Sequence, residues 1–353
     1  MSHWLSQAIH SITAQACQQA SEHQNQLTKP QGSLGLLENI AIQISALQGT
    51  QTPSVEQAQI IIYASDHGIA QENVSAFPQA VTAEMVKNFS TGGAAISVLA
   101  KQHHLDLEII NLGLVSSLAQ LDKVVDCHIS CGTDNFLTDQ AMTIKQMEQV
   151  FACVQIKIDA LKEKQCQLFI GGEMGIANTT SASALVCALE NIEPELLSGA
   201  GTGLDNEGIK HKADIIRLAI KQHKSQLTSP MAILCCLGGY EIVALCASYI
   251  RCAQQGIVSL VDGFICSVAA LFAIRINPPC KDWLIFSHQS AEQGHKKVMQ
   301  LIGLSPLLHF NMRLGEGSGA ALSYPLLRSA CLLHSHMASF AQAGVSEASV
   351  PQE

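Results

Sequence analysis

Short apolar runs alternate with longer amphipathic segments through the middle of the chain. Six runs are nearly continuously apolar, as buried strands are, and they cover residues 59–65, 107–113, 166–172, 231–239, 256–263 and 283–290. Between them, apolar residues recur at helical spacing over 82–101, 143–164, 176–190, 206–223 and 241–254. Buried strands that alternate with helices are typical of a parallel sheet covered on both faces. The pattern therefore predicts an α/β fold.

Both ends of the chain have helical patterns instead. Residues 1–27 and 34–48 show helical periodicity around the loop TKPQGSLG, whose proline and glycines break helices. A helical pattern returns from about residue 320. We predict that residues 1–50 and 319–353 pack together as a smaller helical domain. Residues 51–318 would then form the large α/β domain with the active-site loops.

Composition narrows the class of partner. The chain has 353 residues, of which 48% are hydrophobic and 14% charged, and its net charge of -9 comes from scattered acids. No basic stripe is present to follow a phosphate backbone, so we expect no nucleic acid partner. The apolar run between Asp262 and Arg275 is too short to cross a bilayer, and no Lys or Arg precedes Lys29. We expect no membrane span, no targeting segment and a cytoplasmic protein.

The thirteen cysteines form no CxxC pair; the closest spacings are Cys127 with Cys131 and the adjacent Cys235 and Cys236. Most lie in apolar runs, where a free thiol behaves as a small hydrophobic side chain. The two histidines of HSH at 334–336 point to different sides of a helix. We therefore expect buried, reduced thiols and neither a metal site nor a cofactor.

Glycine-rich turns follow the predicted strands. Ligands of open parallel sheets bind at the carboxyl ends of the strands. The segments at these ends are SDHG (65–68), GGEMGIANTT (171–180), LGGYE (237–241), VDG (261–263) and SHQS (287–290), and SGAGTGLD (198–205) precedes a helix. Such turns expose backbone N–H groups at helix N-termini, which attract anions. Any single turn could simply be tight, but several at one edge predict a phosphate site.

Familiar signatures of other enzyme classes are missing. The chain has no GxxxxGK[ST], and GAGTG has the wrong spacing for GxGxxG, which disfavours ATP and NAD. No two acidic residues are adjacent, so the paired-acid, magnesium-holding motif of enzymes that use phosphoribosyl pyrophosphate is absent. No GxSxG marks a nucleophile, although Asp66 and His67 could serve a serine. A hydrolase triad is therefore disfavoured.

One carboxylate stands out in RLGEGSGAAL (313–322). Glu316 lies between Gly315 and Gly317, with Gly319 close behind. Flanking glycines let backbone and ligand approach closely, and burial raises the pKa of a carboxylate towards that of a useful base. A solvated loop residue is the ordinary explanation of such a glutamate. The glycine-rich turns make Glu316 a candidate general base.

Together these motifs resemble the nicotinate-nucleotide:dimethylbenzimidazole phosphoribosyltransferase family, which builds the lower ligand of cobalamin. The resemblance covers nearly the whole chain, in order, at 28–35, 65–86, 90–100, 171–185, 198–205, 237–242, 261–265, 287–295 and 313–322. GEMGIANTT and RLGEGSGA are its most specific motifs. Gln31 replaces a usual proline and Leu36 a frequent arginine, both outside the expected site.

The resemblance implies a parallel Rossmann-like sheet and a defined reaction. The base 5,6-dimethylbenzimidazole attacks the ribose of nicotinate mononucleotide, which releases nicotinate and gives α-ribazole 5′-phosphate with inverted configuration. The family's general base corresponds to Glu316. The pyridinium leaving group already carries a positive charge, so no metal is required.

The resemblance also implies the substrate contacts. Backbone donors from Gly175, Gly201 and Gly263 would bind the phosphate, with Ser290 nearby. Further positions carried over from the family are Glu173 and Asn178 for the ribose and departing ring, Phe77 and Pro78 as an apolar wall for the base, Gln79 as its polar contact, and Gly203, Lys212, Asp262 and Leu314 as additional substrate-binding candidates.

The family is a homodimer with its sites near the subunit interface, so the resemblance implies a homodimer here too. Two alternatives stay open. A related phosphoribosyltransferase or nucleosidase could use another base or water, because SAFPQAV does not specify two ring methyl groups. A non-catalytic protein that binds phosphorylated nucleosides would keep the glycine turns but would have no need of Glu316.

Overall fold

The protein is described here by a computed structural model that covers residues 3–346. Its centre is a six-stranded parallel sheet in the order β3-β2-β1-β4-β5-β6. The strands are β1 (Ala58–Ser65), β2 (Asp106–Gly113), β3 (Val124–Asp126), β4 (Leu168–Met174), β5 (Val258–Val261) and β6 (Leu284–Phe286). This is the doubly wound order of Rossmann folds. The predicted α/β fold class is confirmed.

Helices surround the sheet. They are α1 (Ala14–Gln26), α2 (Leu36–Gln48), α3 (Ala80–Thr91), α4 (Ala95–His103), α5 (Ile144–Glu163), α6 (Asn178–Glu190), α7 (Asn206–His223), α8 (Pro230–Leu237), α9 (Tyr240–Gln255), α10 (Phe264–Ile276), α11 (His295–Ile302), α12 (Ser318–His336) and α13 (Phe340–Ala343). On β4, Gly171 faces Leu245 of α9, whereas Gly172 faces the residues just before α12. Because neighbouring residues of a strand point to opposite faces, helices cover both faces of the sheet.

The strand predicted at 231–239 is wrong, because this segment forms α8 and the turn after it. A short apolar run does not by itself distinguish a buried strand from a buried helix. The start of α8 decides the matter, since the Ser229 side chain accepts a hydrogen bond from Ala232 N and Pro230 occupies the first turn. The glycines at 238 and 239 therefore join two helices and do not follow a strand.

The helix predicted over 82–101 is two helices. Gly92 ends α3 in a left-handed conformation with φ +89°, and α4 begins at Ala95. The short strand β3 and the helix α11 were not predicted. At the start of the chain, a 3-10 helix over His3–Ser6 precedes α1, so the predicted helix over 1–27 is shorter than expected.

The two ends of the chain lie together. His23 Nε2 is 2.8 Å from the carbonyl oxygen of His334, and His334 Nδ1 is 2.7 Å from Gln24 Oε1. The backbone at Leu27 forms an antiparallel bridge with Ser339. We propose that these contacts join residues 1–50 and 319–353 into the smaller helical domain; residues 1–2 and 347–353 lie outside the described part.

Nine of the thirteen cysteines are buried, among them Cys235 and Cys236. Within residues 3–346, no helix is long and apolar enough to span a membrane.

Candidate active site

A cavity of about 470 Å³ opens where β4, β5 and β6 end. The chain turns from one half of the sheet to the other between β1 and β4, and ligands of such sheets bind beside this reversal. Ten of the fourteen predicted site residues line the cavity: Phe77, Glu173, Gly175, Asn178, Gly201, Asp262, Gly263, Ser290, Leu314 and Glu316. Segments far apart in sequence thus meet at one site.

Four predicted residues do not line this cavity. Gln79 donates from Nε2 to the backbone oxygen of His67 at 3.0 Å, and Pro78 is exposed beside it. Gly203 has φ +118° and no neighbouring atom within 4 Å of its missing Cβ. Lys212 lies behind the wall, where its Nζ donates to Thr179 Oγ1 at 2.8 Å. Of these four residues, Lys212 contacts the cavity wall through Thr179.

The backbone around Glu316 is left-handed over three consecutive residues. The φ angles are +82° at Gly315, +64° at Glu316 and +77° at Gly317. Glycine adopts this conformation freely, but for a residue with Cβ it is unfavourable in conformational free energy. The loop also lies directly on β4, where a Cβ added to Gly172 would stand 2.7 Å from Glu316 O. The flanking glycines therefore allow the turn that brings Glu316 into the cavity.

Glu316 is almost fully buried at 7% exposure. Burial, with a smaller contribution from the charge of Asp262, raises its pKa to about 7. A carboxylate of this strength is half ionised near neutral pH, where it can accept a proton more effectively than an ordinary glutamate.

Glu173 ends β4 and forms the neighbouring acid. Its Oε2 accepts from Asn178 Nδ2 at 2.5 Å, and its Oε1 accepts from Glu316 N at 3.4 Å. Burial raises its pKa well above the usual range, and the charges of Glu241, Asp262 and Glu316 raise it further. Glu173 therefore holds its proton more strongly than an ordinary glutamate, and in the protonated form it can donate a hydrogen bond to a ligand oxygen.

Asp262 follows β5 and is 1% exposed. Its Oδ2 accepts from Gly317 N and its Oδ1 from Ala320 N, both at 3.0 Å. Burial raises its pKa to about 6, although these backbone donors oppose the rise. His288, whose pKa is lowered by burial, places Nε2 at 3.4 Å from Asp262 Oδ1.

Two helix N-termini and a glycine turn form the anion-attracting side. Asn178 and Thr179 begin α6, and Gly263 precedes α10. Lys212 Nζ also lies 3.4 Å from Gly199 O, and a Cβ at Gly201 would stand 3.3 Å from it. Burial lowers the pKa of Lys212 to about 8, so it remains mainly charged at pH 7. Dipoles and charge here favour a phosphate.

Apolar side chains also line the cavity. They belong to Phe77, Val81, Met85, Met174, Ile176 and Leu314. Phe77 and Leu314 are more than half exposed, so an aromatic ligand would cover them.

Several cavity residues were not predicted. Arg313 is the only lysine or arginine that lines the cavity in the described part of the chain, and its Nη1 donates to Gly201 O at 3.1 Å. Thr179, Glu292 and His288 also line it. The position of Arg313 within RLGEGSGA was a signal that could have drawn attention to it.

A buried pair lies beneath the cavity and was also missed. His67 Nε2 is 2.7 Å from Glu241 Oε1, and neither side chain is exposed. A Cβ at Gly175 would stand 3.1 Å from the His67 ring. In the described residues, no group of three or more His, Cys, Asp or Glu side chains is arranged to hold a metal ion.

The cavity combines groups that attract a phosphate, apolar side chains that suit a flat ring, and a basic carboxylate. This arrangement suits the transfer of a sugar phosphate to a nitrogenous base, the chemistry of phosphoribosyltransferases. A family model described as phosphoribosyltransferase matches residues 9–345.

Relatives of known name define the family further. The chain is 49% identical over 344 residues to a nicotinate-nucleotide–dimethylbenzimidazole phosphoribosyltransferase of Pseudomonas putida (strain GB-1), with 98% of each protein covered. An Azotobacter vinelandii protein of the same name is 50% identical over 346 residues, again with 98% of each covered. The chain belongs to the nicotinate-nucleotide–dimethylbenzimidazole phosphoribosyltransferase family, and it is an enzyme that transfers a pentosyl group.

A solved structure agrees. The enzyme of that name from Thermus thermophilus superposes with a TM-score of 0.89 at 35% identity, covering 95% of this chain and 99% of that one.

Proposed function

We propose that this enzyme transfers the phosphoribosyl group of nicotinate mononucleotide to 5,6-dimethylbenzimidazole, with Glu316 as the general base. The names of the relatives supply the two substrates. The observation that carries the role of Glu316 is a buried carboxylate in the cavity wall, whose pKa burial raises to about 7.

In the reaction, one ring nitrogen of the benzimidazole attacks the anomeric carbon while Glu316 takes the proton from the other. A new carbon–nitrogen bond forms as the bond to nicotinate breaks. The electron pair of the broken bond goes to the nicotinate nitrogen and neutralises its positive charge. The products are α-ribazole 5′-phosphate and nicotinate, and the released proton resides on Glu316. A general base contributes a factor of about 10²–10⁴ to such a step.

The phosphate would bind at the N-termini of α6 and α10, near Gly175, Gly201, Gly263 and Ser290. Lys212 would add a positive charge from behind the wall.

The benzimidazole would lie against Phe77 and Leu314, with Pro78, Gln79 and Gly203 at the rim. Glu173 and Asn178, joined by their 2.5 Å hydrogen bond, would orient the ribose and the departing ring.

The experiment that tests this proposal compares Glu316→Gln with the parent. Glutamine preserves size and one acceptor oxygen but cannot take a proton, so kcat should fall about 10²–10⁴-fold with both substrates still bound. The surface variant Glu163→Gln, which makes the same chemical change at an exposed residue of α5, should retain the parent rate. Near-parent turnover by Glu316→Gln would make Glu316 a structural residue.

The same assay, run with a panel of bases and with water alone, separates the alternatives by the amount of nicotinate released. Another preferred base would identify a related transferase, and release without a base would identify a nucleosidase. Binding of the nucleotide without release under any condition would identify a non-catalytic binding protein.

We also propose that the enzyme is a cytoplasmic homodimer. Sedimentation equilibrium of the purified protein would detect a stable monomer and thereby contradict the dimer.

A further inference from the structure

Asp262 connects the end of β5 to the start of α12. Each of its oxygens accepts one backbone hydrogen bond at 3.0 Å, from Gly317 N and from Ala320 N. Asp262 therefore caps α12 from a distant strand, because these donors belong to the helix start that has no partner within the helix. The bond from Gly317 N also holds the residue that follows Glu316.

The loop over residues 315–317 needs hydrogen bonds from outside the loop to stabilise its conformation. A left-handed conformation costs a residue with Cβ about 1–2 kcal/mol, and Glu316 adopts it between two glycines that are left-handed as well. Its own N–H makes only a long bond of 3.4 Å to Glu173 Oε1. The two bonds to Asp262 are shorter, so they are the stronger restraint on this loop.

Asp262 is poorly placed to bind substrate itself. Both oxygens are already engaged by backbone donors, and His288 Nε2 lies 3.4 Å from Oδ1. Its influence on the reaction must therefore pass through the groups it touches.

We propose that Asp262 is a positioning residue, which holds Glu316 in its left-handed conformation at the cavity and places a negative charge beside it. This inference rests on the proposed role of Glu316 as the base. The charge of Asp262 contributes, after burial, to the raised pKa of Glu316. The pKa of Asp262 is itself raised to about 6, so near pH 7 it is mainly ionised.

Other ionisable groups around Glu316 do not duplicate this charge. Glu173 on β4 has a pKa raised well above its usual range, which favours its neutral form, and Glu241 of α9 lies beyond it as the partner of His67. His288, after β6, has a pKa lowered by burial, which also favours the neutral form. Arg313, on the same segment as Glu316, donates to Gly201 O.

The test is the pH profile of kcat for Asp262→Asn. Glu316 acts in its ionised form, so kcat of the parent should fall as pH drops through about 7. Removal of the neighbouring negative charge makes Glu316 easier to ionise, and the fall should move to lower pH. The amide also faces one backbone donor with its own N–H, so the loop should shift and kcat at pH 8 should fall about a hundredfold, as for a displacement of about 1 Å.

A second variant separates charge from geometry. Asp262→Glu retains the charge but displaces it by one methylene. Its kcat should therefore fall, while the pH at which kcat declines on acidification should stay near that of the parent. Thr143→Ala is a matched control, because Thr143 caps α5 away from the cavity through Gln146 N at 3.2 Å. This control should lose stability, while its kcat and pH profile should match those of the parent.

The outcomes distinguish the two proposals. If Glu316→Gln is inactive but Asp262→Asn keeps the kcat and the pH profile of the parent, Asp262 has no positioning role while Glu316 remains the base. An Asp262→Asn variant that loses only stability, as Thr143→Ala does, would also overturn the inference. If Glu316→Gln is fully active, Glu316 is not the base, and the positioning role of Asp262, which rests on that proposal, is contradicted with it.

Discussion

Burial gives Glu316 its value as a base and also makes it costly to the folded protein. The carboxylate ionises with a pKa of about 7 in the folded state, against an ordinary value of 4.5. Between these values the folded protein binds more protons than the unfolded chain, so the stability contributed by this group falls as pH rises. Catalytic sites commonly carry such costs.

Glu316→Gln should therefore be more stable than the parent at pH 8. The difference in free energy of unfolding should grow from pH 4.5 to 7 and then level off at no more than about 3 kcal/mol, the equivalent of the pKa shift. Urea unfolding at pH 5 and pH 8 measures it, with Glu163→Gln as the control for loss of a surface charge. A gain that is equal at both pH values would contradict a buried, ionised Glu316.

Lys212 should show the same conflict between stability and binding with the opposite charge. Its pKa is lowered to about 8, so the buried charge destabilises the fold fully below pH 8, and stability recovers as pH rises from 8 towards 10.5. Lys212→Met should melt at a higher temperature than the parent at pH 7. Its KM for nicotinate mononucleotide should rise, because the positive charge behind the phosphate site is lost.

The exposed Lys210, two residues earlier in α7, provides the matched control. Lys210→Met should change neither the melting temperature nor KM. An unchanged KM in Lys212→Met would remove Lys212 from the phosphate site.

At the scale of single residues, the sequence identified Glu316 as a candidate because the glycines on both sides of it form a recognisable local motif. His67 and Glu241 form no such motif, since the partners lie 174 positions apart and form a pair only after folding. Lys212 illustrates the same limit: its helix pattern looks polar, and only tertiary packing shows that this lysine is buried.

At the scale of elements, β4 supports the site through two glycines that point in opposite directions. A Cβ on Gly172 would meet backbone atoms, Glu316 O at 2.7 Å and Gly317 N at 3.0 Å. A Cβ on Gly171 would meet side chains, Leu245 Cδ2 at 2.6 Å and Phe169 Cε1 at 3.1 Å. Backbone in a tight loop yields less readily than the end of a leucine side chain.

Gly172→Ala should therefore act on catalysis and Gly171→Ala on stability. We expect kcat of Gly172→Ala to fall about a hundredfold as the loop that carries Glu316 is displaced. Gly171→Ala should lose about 1–3 kcal/mol of unfolding free energy by overpacking, with kcat per folded molecule nearly unchanged. Steady-state kinetics and urea unfolding of both variants decide the matter, and equal effects on kcat would contradict the assignment of faces.

The elements themselves were predictable to the extent that periodicity and length are informative. Five of the six predicted strand segments contain strands of the sheet, because their apolar runs are bounded by turn residues. The run at 231–239 was misassigned because α8 has only eight residues and is buried along most of its length. β3, with three residues, is too short to produce a pattern.

At the scale of the whole molecule, packing joins parts that the chain separates widely. Helical periodicity at both ends predicted that they would associate, and the bonds between His23, Gln24 and His334 show that they touch. The sequence could not show which side chains meet, since that depends on how α12 crosses the face of the sheet. Nor does any pattern within one chain reveal the contacts of a second copy.

The junction of the chain ends should weaken in acid. His334 is buried, and burial together with the charges of His23 and Lys29 lowers its pKa to about 4. Between pH 4 and 6.5 the unfolded chain binds the proton that the folded protein refuses, so stability falls as pH decreases through this range. His334→Gln removes this proton uptake. Its free energy of unfolding should decline less than that of the parent between pH 7 and 4.5.

His336→Gln is the matched control, since this histidine is exposed on the same helix. Its pH dependence should follow that of the parent. His295, whose pKa burial lowers to about 3, contributes with the same sign in every variant, so the difference between profiles isolates His334. Parallel profiles for parent and His334→Gln would mean that His334 is accessible to protons in the folded protein, and that the chain ends are not tightly packed at this histidine.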